Sequence, residues 1–288
     1  MWSMTELRIA TRGSALALAQ ARWVGERLAK AHPGLEVSLV EVTTSGDHDR
    51  MTPVATLTEV GAFVRAVQEA VLDDKADVAV HSCKDLPVEG PEDLVAIYPK
   101  REVAWDVLCG HDLESLPHGG RVGTGSPRRA AQMRNLRPDV EIVEIRGNVE
   151  TRLEKMLSDD YDSVILAEAG LRRLGRSSAM RHRFTVKEMV PAPAQAALAI
   201  EARRDDPRRD LLTSIEDPDT RIAVETERSL LALTGAGCRS ALGAYAEVRD
   251  GTIHLTGFVE DDKGPRSAEA DGVSPDAVSR ALQSRLGL

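Results

Sequence analysis

Short apolar runs and amphipathic stretches alternate along the first hundred residues. Apolar runs that predict strands lie at residues 7–11, 37–43, 76–80 and 94–98. Stretches with helical periodicity lie at residues 15–30 and 62–74, and Pro33-Gly34 ends the first of them. Strands that alternate with helices at this spacing predict right-handed crossovers and a mostly parallel sheet.

A second α/β run follows residue 100. Strand-like pieces, separated by helical stretches, lie at residues 107–109, 121–123, 141–145, 163–167 and 184–190. Prolines punctuate residues 190–194, which indicates a hinge or a crossing. From residue 220 the pattern changes to a helix ending near 233, a hairpin at Asp250-Gly251 and a last helix at 275–286. This last part predicts a small α+β domain.

The strand at residues 76–80 ends in a polar run, His81-Ser82-Cys83-Lys84-Asp85, before Pro87. Open α/β folds place their chemistry at the carboxyl ends of strands. The same run also fits a plain solvated turn. Asp85 is a carboxylate that can pass protons, which an arginine cannot do, whereas His81 is interpreted as a structural histidine.

Arginine recurs where other predicted strands end. Thirty of the 37 cationic residues are arginine, whose planar group binds carboxylates in bidentate fashion. The strand ends in question carry Arg12-Gly13-Ser14, Thr124-Gly125-Ser126-Pro127-Arg128-Arg129, Arg146-Gly147-Asn148 and Arg172-Arg173. Because parallel strands bring their carboxyl ends to one edge, we expect these arginines to meet at a cleft that binds several carboxylates or phosphates.

Local helix signals support this expectation. Ser14, Ser126 and Asn148 are predicted N-caps, and Pro127 suits the first helical position. Arg128 and Arg129 then lie in a first turn, where the helix dipole disfavours cations and an anion is expected nearby. Alternatively, both side chains extend outward to partners such as Asp139.

Composition narrows the class of protein. The chain has 288 residues, of which 42% are hydrophobic and 29% charged, as in an ordinary soluble globular protein. A net charge of −9 and an aromatic content of 3% argue against binding to nucleic acid or to an anionic membrane. The sequence has no long apolar run and does not start like a signal peptide, so we expect a cytoplasmic location.

The three cysteines form neither a disulfide framework nor a zinc motif, and we expect no metal. Cys83 and Cys109 follow apolar stretches and are predicted to lie in the core. Cys238 follows the small residues Gly235-Ala236-Gly237 and is followed by Arg239 and the small Ser240. It is either an accessible thiol, favoured as the thiolate by Arg239, or a small buried hydrophobic residue.

Seven motifs occur in order along residues 7–247. They are IATRGSALALAQA near the start, TTSGD at 43–47, ADVAVHSCKDLP at 76–87, VGTGSPRRAAQ at 122–132, EIRGNVETRL at 144–153, ILAEAGLRRLG at 165–175 and GCRSALGAYAE at 237–247. Together they resemble the porphobilinogen deaminase family, also called hydroxymethylbilane synthase.

The resemblance implies an α/β fold of two periplasmic-binding-protein-like (type II) domains with a cleft between them, plus a small C-terminal α+β domain. The implied boundaries are residues 1–100, with 195–216 returning to that domain, then 101–194 and 217–288. The resemblance also implies a monomeric transferase that deaminates four porphobilinogen molecules and condenses them head to tail on a covalent dipyrromethane cofactor. Hydrolysis then releases hydroxymethylbilane.

The resemblance assigns roles to particular residues. Cys238 matches the cysteine that is thioether-linked to the cofactor, and Asp85 matches the catalytic aspartate. Each pyrrole ring of cofactor and substrate carries an acetate and a propionate. The positions that match the family's cofactor- and substrate-binding residues are Arg12, Ser14, Lys84, Thr124, Ser126, Arg128, Arg129, Arg146, Gly147, Asn148, Arg152, Arg173 and Gln195.

The chain departs from the family pattern at three places. The family's GGKG stands here as Thr58-Glu59-Val60-Gly61, and position 83 carries cysteine where methionine or a similar residue is usual. The family's GQGA stands here as Ala194-Gln195-Ala196-Ala197, so side chains occur where glycine lets backbones approach closely. Local propensity makes residues 194–203 a helix, whereas the family has a strand there.

Hypotheses from different classes follow. The first is the dipyrromethane-carrying transferase with porphobilinogen as its substrate. The alternative is a non-catalytic, periplasmic-binding-protein-like binder of a small polyanion, which leaves Asp85 and Cys238 without a role. A nucleic-acid binder is a weaker third hypothesis, because the chain is acidic and its arginines are not interleaved with aromatic residues.

Overall fold

The computed structural model describes residues 6–42, 58–158, 160–235 and 241–288, with the backbone alone for 58–60 and 62. Its strands are β1 (Glu6–Arg12), β2 (Glu36–Val42), β3 (Val78–Ser82), β4 (Leu94–Ile97), β5 (Asp106–Cys109), β6 (Arg121–Gly123), β7 (Glu141–Val143), β8 (Ser163–Ala167), β9 (Met180–Arg183), β10 (Leu198–Arg203), β11 (Ala241–Arg249), β12 (Thr252–Asp261) and β13 (Gly264–Gly272). Its α-helices are α1 (Ala15–Ala31), α2 (Thr58–Leu72), α3 (Pro127–Leu136), α4 (Val149–Met156), α5 (Glu168–Arg173), α6 (Arg209–Thr213), α7 (Pro218–Leu233) and α8 (Pro275–Leu286). None of these helices is long and apolar enough to cross a membrane.

Contacts within the chain divide it into two compact units. Unit 1 comprises Met1–Arg101 and Ala197–Arg221, and unit 2 comprises Glu102–Ala196 and Ile222–Leu288. Each unit is therefore built from two separate stretches of sequence. The finer division into three domains stays a prediction.

Unit 1 contains a five-stranded sheet in the order β2-β1-β3-β10-β4. Strand β1 pairs in parallel with β2 and β3, whereas β10 runs antiparallel between β3 and β4. Leu7, Ile9 and Leu28 share one core cluster, and Ala10 and Val67 share another. Both faces of β1 are thus covered by helices, so polar chemistry is confined to the ends of the strands.

The α/β sheet of unit 2 repeats this order as β7-β6-β8-β5-β9. Strand β6 pairs in parallel with β7 and β8, and β5 runs antiparallel between β8 and β9. In each sheet the antiparallel strand comes soon after the chain enters that unit from the other. The two sheets confirm the predicted fold class of two α/β domains with mostly parallel strands.

The C-terminal part of unit 2 is a separate antiparallel sheet, β11-β12-β13. Its first hairpin turns through Asp250 and Gly251, whose φ angles are 51° and 75°, as the predicted two-residue turn requires. Leu230 of α7, Leu255 of β12 and Leu282 of α8 belong to one buried cluster. This confirms the predicted small α+β region.

Two predicted elements are wrong. Residues 184–190 are not a strand; the strand is β9, and a turn follows in which the Thr185 N–H donates to Glu188 Oε2 over 2.8 Å. Local propensity favours a helix over residues 194–203, but Leu198–Arg203 form strand β10, as the resemblance implies, because pairing with β3 and β4 outweighs the helix preference of alanine. Predicted helix 62–74 also begins earlier, at Thr58.

Candidate active site

The chain turns after β3 in a way that exposes one carboxylate. Residues Cys83–Asp85 form a 3-10 turn, and the buried Cys83 donates its N–H to the Ala197 carbonyl oxygen over 2.9 Å. Leu86 is also buried and donates its N–H to the Cys83 carbonyl oxygen over 3.1 Å. These inward residues leave Asp85 exposed and Lys84 half-buried. The burial of Cys83 confirms its predicted place in the core.

Asp85 lines a cavity of about 350 Å³ in unit 1. Arg12 at the end of β1 and Ser14 at the start of α1 line it as well. The remaining wall is made by Leu16, Ala17, Gln20, Phe63, Val64, Val80, His81 and Ser82. A cavity with one carboxylate, one guanidinium group and an aromatic side chain suits a small flat ring with acidic and cationic substituents.

Arg12 and Ser14 are both held in place at the edge of this cavity. The guanidinium carbon of Arg12 lies 4.1 Å from the centroid of the Phe63 ring, a cation–π contact. The Ser14 hydroxyl accepts the Ala17 N–H over 3.3 Å, which confirms the predicted N-cap. Sequence reasoning missed Phe63, because in this helix it considered only residues 58–61, where the chain departs from the family pattern.

His81 lines the cavity, but its side chain contacts the buried Glu201. Its Nε2 lies 3.1 Å from Glu201 Oε2, and both side chains are buried. Gln68 donates its amide to the two Glu201 oxygens over 3.1 and 2.9 Å. This contact between two buried side chains supports the interpretation of His81 as a structural residue. An acidic residue inside the apolar run of β10 was the sequence signal for Glu201.

In unit 2, Arg128 and Arg129 turn inward to share one carboxylate. Arg128 Nη1 donates to Asp106 Oδ2 over 2.8 Å, and Arg129 Nη2 donates to Asp106 Oδ1 over 2.7 Å. All three residues are buried. Their predicted alternative partner, Asp139, is bound by Arg137 instead, so the outward arrangement is wrong. The anion expected beside the first turn of α3 is, in part, a residue of the chain itself.

Asp106 is ionised in this setting. Burial by itself raises its pKa, but the charges of Arg128 and Arg129 outweigh burial and hold the pKa at about 2. Gln195 also donates its amide to Asp106 Oδ1, over 3.0 Å. Two guanidinium groups share one carboxylate, so the cluster keeps a net positive charge. Sequence reasoning missed Asp106, although a charged residue opening an apolar strand was its signal.

The loops after β6 and β7 have the predicted local structure. The Ser126 hydroxyl accepts the Arg129 N–H over 3.4 Å, and Pro127 opens α3, so both predictions for this helix start are confirmed. Thr124 is buried and its hydroxyl accepts the Ser126 N–H over 3.2 Å. Asn148 accepts the Thr151 N–H over 2.8 Å and is the confirmed N-cap of α4.

Gly147 is required by geometry. Its φ is +119°, and a side chain there would lie 2.7 Å from the Thr151 methyl carbon. Its carbonyl oxygen accepts Nε of Arg152 over 2.9 Å. The neighbouring Arg146 is exposed and pairs with Glu144, 2.7 Å away. Arg146 therefore pairs with a carboxylate, whereas Arg152 of α4 binds the backbone of the loop after β7.

Arg152 and Arg173, two of the predicted site arginines of unit 2, have no anionic partner among the described residues. Within the described ranges neither forms an ion pair; Arg173 donates to the Ala196 carbonyl oxygen over 2.8 Å. Burial, and to a lesser extent the charge of Arg129, lowers the pKa of Arg152 to about 10. Burial also lowers the pKa of Arg173 to about 10, against an opposing effect of Glu102. Both groups would gain from a carboxylate of a ligand.

The remaining cysteines differ in what can be said of them. Cys109 is buried, and burial raises the pKa of its thiol to about 12, so its predicted core position is confirmed. Cys238 lies outside the described residues, as do Arg239 and the TTSGD motif at 43–47. The described chain flanks Cys238 on both sides, with α7 before it and β11 after it.

Comparisons with known proteins agree along nearly the whole chain. The family model described as "Porphobilinogen deaminase, dipyromethane cofactor binding domain" matches residues 7–210, and "Porphobilinogen deaminase, C-terminal domain" matches residues 221–283. The porphobilinogen deaminase of Syntrophobacter fumaroxidans is 42% identical over 98% of this chain and 93% of its own length. That of Syntrophotalea carbinolica is 40% identical over 99% and 92%.

Among solved structures, substrate binding domain 2 of Lactococcus lactis GlnP in its open conformation superposes with a TM-score of 0.45. The identity is 11%, over 82% of this chain and 93% of that one.

Proposed function

The chain belongs to the porphobilinogen deaminase family, and we propose that Asp85 and the arginines described above carry out the work of that enzyme. It is a transferase that deaminates porphobilinogen, joins four molecules head to tail on a dipyrromethane cofactor and releases hydroxymethylbilane by hydrolysis. Family membership favours this reaction over the hypothesis of a polyanion-binding protein.

The observation that carries the residue assignment is the cavity in unit 1. Porphobilinogen is a pyrrole ring with an acetate, a propionate and a cationic aminomethyl group. Arg12 offers a guanidinium group for one of the acid groups, and Phe63 offers an aromatic face beside it. Asp85 offers the carboxylate that attracts the cationic substituent.

Asp85 is the proposed catalytic residue. Loss of ammonia leaves positive charge on the pyrrole carbon framework, and a carboxylate in the same cavity stabilises that charge. The carboxylate also accepts and returns a proton, a task that Arg12 in the same cavity cannot share because its guanidinium group stays protonated. The buried Cys83 and Leu86 hold the turn that presents Asp85.

The arginines of unit 2 fit the cofactor's acid groups. Arg152 and Arg173 carry desolvated charges, each with a lowered pKa and, within the described residues, no ion pair. When bound, dipyrromethane supplies the pyrrole end on which the substrate molecules are joined. We propose that the chain holds its carboxylates with Arg128, Arg129, Arg146, Arg152 and Arg173, supported by Thr124, Ser126, Gly147, Asn148 and Gln195, while Ser14 and Lys84 assist Arg12 and Asp85.

Cys238 is the proposed point of attachment. It belongs to residues 217–288, which we propose form a third domain with a core of their own around Leu230 and Leu282. The remaining boundaries predicted from the sequence are part of the same proposal. The proposal further includes a monomeric enzyme in the cytoplasm, which size-exclusion chromatography with light scattering and cell fractionation would check.

Intact mass spectrometry tests the proposed function. The purified chain should carry a mass increment equal to two linked pyrrole units, and Cys238→Ser should abolish both the increment and the conversion of porphobilinogen. Cys109→Ala, at a buried cysteine, is the matched control and should keep the increment. A chain that converts porphobilinogen without any covalent increment would refute the cofactor assignment.

A further inference from the structure

Residues 190–196 are held by several parts of unit 2, and we call them the linking segment. At its start, the Val190 N–H donates to Gln132 Oε1 over 2.7 Å, and the Val190 carbonyl oxygen accepts Arg128 Nη1 over 2.7 Å. At its end, the Ala196 carbonyl oxygen accepts Arg173. Arginines of the candidate anion site therefore fix the backbone of this segment at both ends.

Glu227 of α7 is hydrogen-bonded to the middle of the linking segment. Its Oε2 accepts the Ala194 N–H over 2.6 Å, and its Oε1 accepts the Ala246 N–H of β11 over 2.7 Å. The residue is fully buried. Ala194 has a φ of +60°, a conformation that a residue with a side chain rarely adopts, so its N–H is held at a strained position.

Glu227 bonds to the two elements that flank residues 236–240 in the chain. Helix α7 and strand β11 are the described elements on either side of residues 236–240, which include Cys238. The residue after Ala194 is Gln195, whose amide donates to the Ala104 carbonyl oxygen over 2.7 Å and to Asp106 over 3.0 Å. Glu227, on α7, thus connects β11 to the linking segment, and Gln195 of that segment binds Asp106, the partner of Arg128 and Arg129.

No other role in the mechanism uses Glu227. The Ala194 and Ala246 N–H groups each need an acceptor oxygen, and a carboxylate offers one to each of them. An amide in the same place would turn an NH2 group toward one of the two N–H groups. Loss of one of these two hydrogen bonds would shift α7 and β11 relative to the arginine cluster. Displacements of about 1 Å are enough to slow reactions strongly.

We propose that Glu227 is a positioning residue for covalent attachment of the cofactor. Its carboxylate sets the register between the linking segment, α7 and β11, the last two of which lie on either side of residues 236–240 in the chain. The inference rests on the proposed function and adds to it a residue that touches neither cofactor nor substrate in the proposal. Cofactor attachment, rather than the later turnover of loaded enzyme, is the step on which it acts.

The test follows attachment directly. Cofactor-free chain, made in cells that cannot synthesise porphobilinogen, is mixed with porphobilinogen, and intact mass spectrometry records how fast the dipyrromethane increment appears. Glu227→Gln should slow attachment by about tenfold or more at temperatures well below its melting point. Glu227→Asp keeps the charge on a shorter arm and should restore part of the rate.

Ser279→Ala is the matched structural control. Ser279 is fully buried on α8, and its hydroxyl lies 2.8 Å from the carbonyl oxygen of Thr226, the residue next to Glu227 on α7. Among the described residues it forms no hydrogen bond with the linking segment. The substitution should lower the melting temperature but leave the attachment rate within about twofold of the unaltered chain.

The outcomes separate the two proposals. If the unaltered chain gains no increment, the proposed function fails. If it loads and Glu227→Gln loads equally fast, or if Ser279→Ala slows attachment to the same degree, the positioning role of Glu227 is refuted while the function stands. Should Glu227→Gln fail to fold, Glu227→Asp decides by the same comparison with Ser279→Ala.

Discussion

Asp85 and Asp106 are aspartates with different surroundings. Asp85 is exposed in a cavity with Arg12, where a substrate can reach it. Asp106 is fully buried, and two guanidinium charges hold its pKa at about 2 despite the opposing effect of burial. A carboxylate with that pKa does not exchange protons near neutral pH. Of the two, only Asp85 is placed for acid–base work.

Asp85→Asn should leave the fold intact and remove most of the turnover. The side chain is exposed, so no buried contact is lost, whereas the carboxylate that stabilises positive charge and transfers protons is gone. We expect porphobilinogen consumption to fall by about a hundredfold or more. Glu89→Gln, at an exposed carboxylate outside the cavity, should keep normal turnover. Near-normal turnover of Asp85→Asn would contradict the assignment.

Asp106→Asn should destabilise the protein strongly, because it leaves Arg128 and Arg129 buried without a counter-charge. We expect the free energy of unfolding to fall by about 3–5 kcal/mol in urea titrations near neutral pH. The lowered pKa of Asp106 stabilises the fold above about pH 4, and this stabilisation is lost as the pH falls towards about 2. The difference between the variant and the unaltered chain should therefore narrow in that window.

Asp139→Asn supplies the control for this experiment. Asp139 also pairs with an arginine, Arg137, but both side chains are only half-buried. Its removal should change stability far less than the removal of Asp106, because solvent partly screens this ion pair. The buried cluster would not be the source of the effect if both variants lost equal free energy of unfolding. The same would follow if the difference in free energy between Asp106→Asn and the unaltered chain did not change with pH.

At the scale of secondary structure, local chemistry explains the starts of the helices that carry the site. Ser14, Ser126 and Asn148 each cap a helix through a side-chain oxygen, as their residue types predict. Propensity failed in the stretch that includes β10, where alanines favour a helix in isolation. There the unpaired edges of β3 and β4 supply hydrogen bonds to both sides of the segment.

Ala196→Gly tests the strain just before β10. Ala196 has a φ of +69°, which costs a residue with a Cβ about 1–2 kcal/mol. Part of the gain from glycine is offset by the larger entropy of the unfolded chain, so we expect stabilisation of about 1 kcal/mol or less. Chemical denaturation would measure it.

Ala199→Gly is the same substitution three residues later, inside β10, where the backbone is extended and the side chain is buried. It should destabilise the protein, since glycine weakens a strand and removes a packed methyl group. If both variants lost stability to a similar extent, the positive φ of Ala196 would not measurably destabilise the protein.

At the scale of the whole molecule, an acidic chain encloses a positive site. The net charge is −9, yet Arg128, Arg129, Arg152 and Arg173 are concentrated in unit 2 with Asp106 as the carboxylate that two of them share. The desolvated charges of Arg152 and Arg173 destabilise the protein until an anion reaches them. Function and stability are therefore linked through the same side chains.

The cofactor-free protein should accordingly unfold at a lower temperature than the loaded protein. Citrate, which offers three carboxylates, should raise the melting temperature of the cofactor-free form more than that of the loaded form. Sodium chloride at the same ionic strength is the control for general screening. Equal responses of the two forms to citrate would show that their difference does not come from unfilled arginine sites.

Local patterns were sufficient for the α/β class, most element bounds, the helix caps and the exposed turn at Asp85, because these depend on periodicity and on hydrogen bonds between near neighbours. The sharing of Asp106 by two arginines, the pairing of His81 with Glu201 and the hold of Glu227 on Ala194 join residues far apart in the chain. No local pattern encodes such contacts. They form only when packing brings distant charges into a low-dielectric interior, where each buried polar group must find a partner.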